Sequence, residues 1–229
     1  MAPSYRVERL AEPRTIRLIS TARLRDPVLL PLAPAEHLAA LAEIEGATSA
    51  RLLAQENRVA ALPAAQLVHG VPAANIVNAA FAYARPRGLN RFNGPERGAW
   101  YAALARETCI AEVAFHMTRE LENVGDFNAT VDFGELFASF AGEFADLRDL
   151  QEQPLCLDPD PARGYGAGNA LALEIMANGH NGVIYPSLRH AGGICLAALW
   201  PHAVQSVAQG DVIRLRWAGS RQPVVEAIG

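Results

Sequence analysis

Five side chains in this 229-residue sequence could act on a substrate: Arg17, Arg91, Tyr101, Glu112 and Ser187. Arginine presents a planar fork of N–H donors that grips paired oxygens of phosphate or carboxylate bidentately, and Arg91 lies in an arginine-rich loop while Arg17 lies in a short alternating segment. A carboxylate such as Glu112 can stabilise developing positive charge and orient a hydroxyl, as in glycoside cleavage. Tyr101, eleven residues before it, offers a flat face and a hydroxyl handle. Ser187 follows Pro186 and would hydrogen-bond a neighbour from a strand end. Each has a plainer reading: a lone glutamate on a helix is a solvated residue, an arginine in such a loop an exposed charge, a tyrosine part of the core, a serine before a charged turn its cap, and Arg17 an ordinary edge-strand residue.

Other chemistries are missing. There is no GxGxxG, GxxxxGK[ST], HExxH or GxSxG, which argues against a P-loop ATPase, a zincin and an α/β-hydrolase. The six histidines show no metal-ligand spacing. Ser187 with His190 is poor triad evidence, since no oxyanion loop accompanies it. Cys109, Cys156 and Cys195 are odd in number and form no CxxC pair, so neither a disulfide framework nor structural zinc is expected. Cys109 has no visible paired base, and a nucleophilic role is not expected. Net charge of −4 without a dense Arg run argues against a nucleic-acid surface. No apolar stretch is long enough to cross a bilayer, the start has no signal-peptide core, and a reducing cytoplasm is expected.

The elements that must position these residues can be read from periodicity. Residues 1–13 read as a loose lead-in and 15–20 as a strand. Helices are predicted over 35–45, 48–56 and 73–83, and an exposed Gly/Pro/Arg loop over 84–98. A short strand over 99–104 precedes a helix over 107–121, where Ile110, Val113, Ala114, Met117 and Leu121 share one face. A strand or hairpin over 129–140 and a helix over 167–177 follow, then strands over 182–185, 194–200 and 212–217. Helices first and mixed strands later predict an α+β fold. His116, one turn beyond Glu112, could line a pocket but reads more simply as a packed histidine.

Three ordered blocks carry a resemblance. Ala80-Phe81 through Arg91-Phe92, Gly98-Ala99-Trp100-Tyr101-Ala102-Ala103, and Glu107-Thr108-Cys109-Ile110-Ala111-Glu112 ending in Phe115-His116 resemble the first block of the RES domain of RES–Xre toxin–antitoxin modules. That family is named for Arg, Glu and Ser, which Arg91, Glu112 and Ser187 (in Gly182-Val183-Ile184-Tyr185-Pro186-Ser187) match. Residues 193–201 match its terminal core strand. Thr15-Ile16-Arg17-Leu18-Ile19-Ser20 and Thr48-Ser49-Ala50-Arg51-Leu52 resemble the longer, ADP-ribosylating subgroup.

The resemblance implies a single domain similar to the ADP-ribosyltransferase-like fold, with a helical N-terminal extension over 1–70 packed on a RES core over 71–229. It implies a toxin that cleaves the nicotinamide–ribose bond of NAD+, with NAD+ as substrate and neither cofactor nor metal. Catalytic roles fall to Glu112, Arg91, Tyr101 and Ser187, and NAD+ binding to Arg17, Arg91, Tyr101 and Ser187. The ADP-ribose acceptor is expected to be a host protein; degradation of NAD+ by transfer to water or phosphate is the alternative, and a non-enzymatic binding module a second one. The implied partner is an Xre-type antitoxin that occludes the site, with no direct contact of the toxin to nucleic acid or membrane.

Overall fold

On the central strands, alternate residues serve different cores, and this alternation fixes the architecture. Trp100 and Ala102 pack with Ile184, Leu196 and Ala198 in one buried cluster, while Ala103, Val183, Tyr185, Cys195 and Ala197 belong to another. Successive strand side chains point to opposite faces, so a sheet covered on both sides produces this division.

The computed structural model of the chain describes residues 5–21, 62–82 and 89–228. Among them are strands β1 (Arg6–Ser20), β2 (Trp100–Ala103), β3 (Asn128–Asp146), β4 (Gly182–Pro186), β5 (Ile194–Ala198), β6 (Val204–Ala218) and β7 (Val224–Ile228). The helices are α1 (Ala74–Ala82), α2 (Arg106–Val124) and α3 (Pro161–Ala177). The sheet order is β1-β2-β5-β4-β3-β6-β7, and β1 also pairs with β3, so five strands form a closed circuit of pairings. Among the described residues only the β3–β4 pairing is parallel. This is a mixed, sheet-rich α+β domain.

Helix α1 covers one face through Val77 and Phe81. Helices α2 and α3 cover the other: Leu171, Ala172 and Ile175 of α3 are fully buried there, and Ile110, Val113, Ala114, Met117 and Leu121 of α2 pack against the same cluster. The predicted apolar stripe of α2 is therefore its core face. Gly125, in the left-handed region at φ 78°, ends the helix with its N–H on the carbonyls of Leu121 and Glu122.

Several expectations change. Residues 6–13 are not a loose lead-in but the first half of β1, paired with β3 from Arg6↔Asp146 to Glu12↔Phe140. Its outer half is largely exposed and charged, so it lacks an apolar alternation. Pro13 lies where the register shifts between Glu12 and Thr15, the kind of bulge at which strands tolerate proline. The strand or hairpin expected over 129–140 is one strand that continues to Asp146, and the helix expected from 167 begins at Pro161, capped by the Asp160 carboxylate on the Ala162 N–H. The strand expected over 212–217 is the second half of β6, and β7 lies beyond it, where no element is expected. The helices expected over 35–45 and 48–56, and with them Arg51, fall outside the described residues.

Candidate active site

Glu112 faces away from the core stripe of α2. Its Oε1 accepts a hydrogen bond of 2.7 Å from the Ser187 hydroxyl and lies 3.7 Å from the Cys195 thiol. The other oxygen, Oε2, has no hydrogen-bond partner among the described residues.

Ser187 opens the turn between β4 and β5. Its Oγ accepts the backbone N–H of Arg189 at 3.2 Å and of His190 at 3.1 Å, so its single proton goes to Glu112. The turn is also closed by Ser187 N to Gly193 O and pinned to α2 by His190 Nδ1 against Thr108 Oγ1, 2.8 Å apart. Thr108 is fully buried. Because the His190 ring engages Thr108 and only its backbone N–H reaches Ser187, no Ser–His dyad exists here.

Arg91 lies in a tight loop, with Asn90 N bonded to Asn93 O at 2.9 Å. Two elements, β2 and α3, clamp this loop. The Tyr101 hydroxyl of β2 accepts the Phe92 N–H and donates to Asn93 Oδ1, both at 2.9 Å. Asn169 of α3 donates from Nδ2 to the Asn90 carbonyl at 2.7 Å. Gly168 lets α3 touch the loop directly: a Cβ there would meet the Arg91 carbonyl oxygen at 1.9 Å. The guanidinium is buried, with Nη1 donating to the carbonyls of Cys156 at 2.6 Å and Asp158 at 3.1 Å.

These residues surround one cavity of about 200 Å³, lined by Arg17, Arg91, Tyr101 and Glu112 among others. Ser187 stands behind Glu112 rather than in the lining. The cavity is smaller than the roughly 300–1,000 Å³ of most small-molecule sites, a size for one part of a dinucleotide. Arg17 Nη1 donates to the Tyr101 carbonyl at 3.3 Å, and its guanidinium carbon is 4.8 Å from the Trp100 ring centre. The Tyr101 hydroxyl is committed to the loop, so what Tyr101 offers a ligand is its ring. Burial raises its pKa first, which keeps the phenol neutral.

His116 is exposed and lines the cavity, so it is not the packed histidine expected. Cys109 is also in the lining, but burial pushes its thiol up to about 12 and its Sγ is engaged with the Ile16 carbonyl. That environment suits an inert thiol.

Sequence reasoning did not select Arg189, Tyr165 and Tyr185, which complete the lining. Tyr165 and Tyr185 are buried, and neither hydroxyl has a partner among the described residues. The missing signal is topological: these residues reach the site from α3 and from the β4 end, far from Glu112 in sequence.

A family model described as the RES domain matches residues 66–218, two thirds of the chain, and the chain belongs to this family. No curated protein matches it. Among solved structures, one titled "Crystal structure of the M.tuberculosis MbcT-MbcA toxin-antitoxin complex" is 19% identical, with 58% of this chain and 74% of that chain covered and a TM-score of 0.39.

Proposed function

From RES-domain membership as the premise, we propose that this chain cleaves the nicotinamide–ribose bond of NAD+ and passes ADP-ribose to a protein side chain. The observation that carries this reading is the Ser187–Glu112 hydrogen bond of 2.7 Å beside a cavity bordered by Arg17, Arg91 and Tyr101. With Oε1 occupied, the carboxylate is held in one orientation and Oε2 remains for a ribose hydroxyl. The C–N bond breaks with its electron pair on the nicotinamide nitrogen, so a neutral ring leaves and positive charge develops on the ribose. Glu112 stabilises that charge, as a carboxylate does in glycoside cleavage. The acceptor forms the new bond at the same carbon and loses a proton. The Tyr101 ring gives the nicotinamide a flat apolar wall.

The proposed fold relationship is to ADP-ribosyltransferases, and the proposed role is that of a toxin in a type II toxin–antitoxin module. Its partner is then an Xre-type antitoxin that covers the cavity. Expression without the antitoxin should stop bacterial growth, and Glu112→Ala should restore it. Mass spectrometry of bulk cell protein separates two outcomes. An added ADP-ribose means transfer to protein, whereas loss of NAD+ without an adduct means transfer to water or phosphate. Normal growth with confirmed soluble expression and unchanged NAD+ would contradict the proposal.

A further inference from the structure

Two of the arginines at the cavity are anchored on one short segment of backbone. Arg91 Nη1 donates to the carbonyls of Cys156 and Asp158, and Arg189 Nη2 donates to the carbonyl of Pro159 at 2.7 Å. Arg189 is also stacked on Phe115, its guanidinium carbon 3.4 Å from the ring centre. Each guanidinium therefore uses one nitrogen on the protein and keeps the others. Neither pairs with a carboxylate among the described residues. Elsewhere Arg106, Arg148, Arg214 and Arg216 sit within 4 Å of Asp or Glu oxygens, while Arg97, also without a carboxylate among the described residues, donates to the Leu199 carbonyl. The buried Tyr165, whose hydroxyl has no partner among the described residues, lies beside Arg91 with the guanidinium carbon 5.3 Å from its ring centre.

The cavity lining sets Arg17, Arg91 and Arg189 against one carboxylate, Glu112, so its cations outnumber its anions. Burial lowers the pKa of Arg189 first; Glu112 then raises it, by more than the like charge of Arg91 lowers it. A single carboxylate would offset one of these charges. A diphosphate brings two adjacent phosphate groups and meets both forks bidentately. We infer that Arg189 and Arg91, anchored on the carbonyls of residues 156–159, form a diphosphate subsite, with the Tyr165 hydroxyl as a further donor. This rests on the dinucleotide reading of the cavity and names the residue, Arg189, that completes it. The turn carrying Ser187 then has two roles: its serine orients Glu112, while its arginine, whose N–H bonds that serine, holds the phosphates.

The test is isothermal titration of the intact chain with ADP-ribose, for wild type, Arg189→Ala and Arg189→Lys, with thermal melts of the unliganded proteins. Wild type is expected to bind, Arg189→Ala to lose about 10- to 100-fold in affinity, the scale of a charge-assisted hydrogen-bonded pair, and Arg189→Lys to recover only part of it because an ammonium lacks the fork. Should the alanine variant melt early, the lysine variant decides. Equal affinity in all three, or no binding of ADP-ribose or inorganic pyrophosphate by wild type, overturns the subsite. If ADP-ribose binds through Arg189 yet NAD+ is never consumed, the subsite stands and the enzymatic reading falls. If NAD+ is consumed with an unchanged KM in Arg189→Ala, the enzymatic reading stands and the subsite falls.

Discussion

Replacing Ser187 with alanine isolates the contribution of one hydrogen bond. In the structure the hydroxyl donates to Glu112 Oε1 at 2.7 Å and accepts two backbone N–H groups of its own turn. The alanine variant leaves Glu112 chemically intact but free to rotate. A hydrogen bond to a charged group contributes about 1.5–3 kcal/mol, and each 1.36 kcal/mol is a factor of ten in rate. The rate of nicotinamide release should therefore fall by about 10- to 100-fold. Folding should suffer less, because the turn is only half-buried and water can reach the two N–H groups. A loss of about 1 kcal/mol would lower Tm by roughly 2–4 °C in a chain of this size. Because Ser187 acts through Glu112, the effects should not add: in a Glu112→Gln background, Ser187→Ala should change the rate by less than about twofold. A Ser187→Ala enzyme at the wild-type rate, or one that loses its full factor again in the Glu112→Gln background, would refute the positioning role.

Two further predictions concern the frame around the site. Gly168→Ala would drive a methyl into the Arg91 carbonyl, at 1.9 Å, so the loop must move; stability should fall by about 1–3 kcal/mol, and NAD+ consumption with it, whereas Gly166→Ala, with open space at the same test position, should do neither. The three cysteines are buried and free, with burial raising the thiol of Cys156 to about 11 and that of Cys109 to about 12. A thiol reagent at pH 8 should label none of them without denaturant. The unfolded chain ionises these thiols near their usual 9.0, so the folded state is favoured in full below that pH and progressively less as pH rises toward 11–12. The sequence has no lysine, which leaves thiols and phenols as the groups titrating in this window. Burial raises Tyr101, Tyr165 and Tyr185 in the same sense. Tm should hold steady from pH 7 to 9 and fall above it; a Tm flat to pH 11 would contradict the assignment.

What the sequence revealed follows from where burial is one-sided. Helix α2 was legible because its apolar residues recur at helical spacing, and its opposite face carries Glu112 and His116. Strands β2, β4 and β5 were legible as short apolar runs. Strand β1 was half hidden, because Val7, Glu8 and Arg9 lie on a ribbon that water reaches, and a solvated strand has no reason to alternate. Strand β7 shows the same problem, with Val224 and Val225 both exposed. In the site, Arg91, Glu112 and Ser187 could be selected because they fall in recognisable blocks. Arg189 reads in sequence as one more charge in a turn, and Tyr165 as a residue of a helix. Only the pairing of β4 with β5 and the approach of α3 at Gly168 bring them to Arg91. The role of Asn93 and Asn169 was hidden for the same reason: they bind the backbone of a loop whose shape local sequence does not dictate.

Whether Glu112 promotes cleavage of NAD+ is tested by NAD+ concentration over time with purified protein, wild type beside Glu112→Ala, first alone and then with cell lysate as the source of acceptor. Wild type is expected to consume NAD+ with release of nicotinamide, and the variant to lose about 10²–10³-fold or more, the cost of removing a group that stabilises the transition state. Equal rates in the two proteins, or no consumption by wild type even with lysate present, would contradict this expectation.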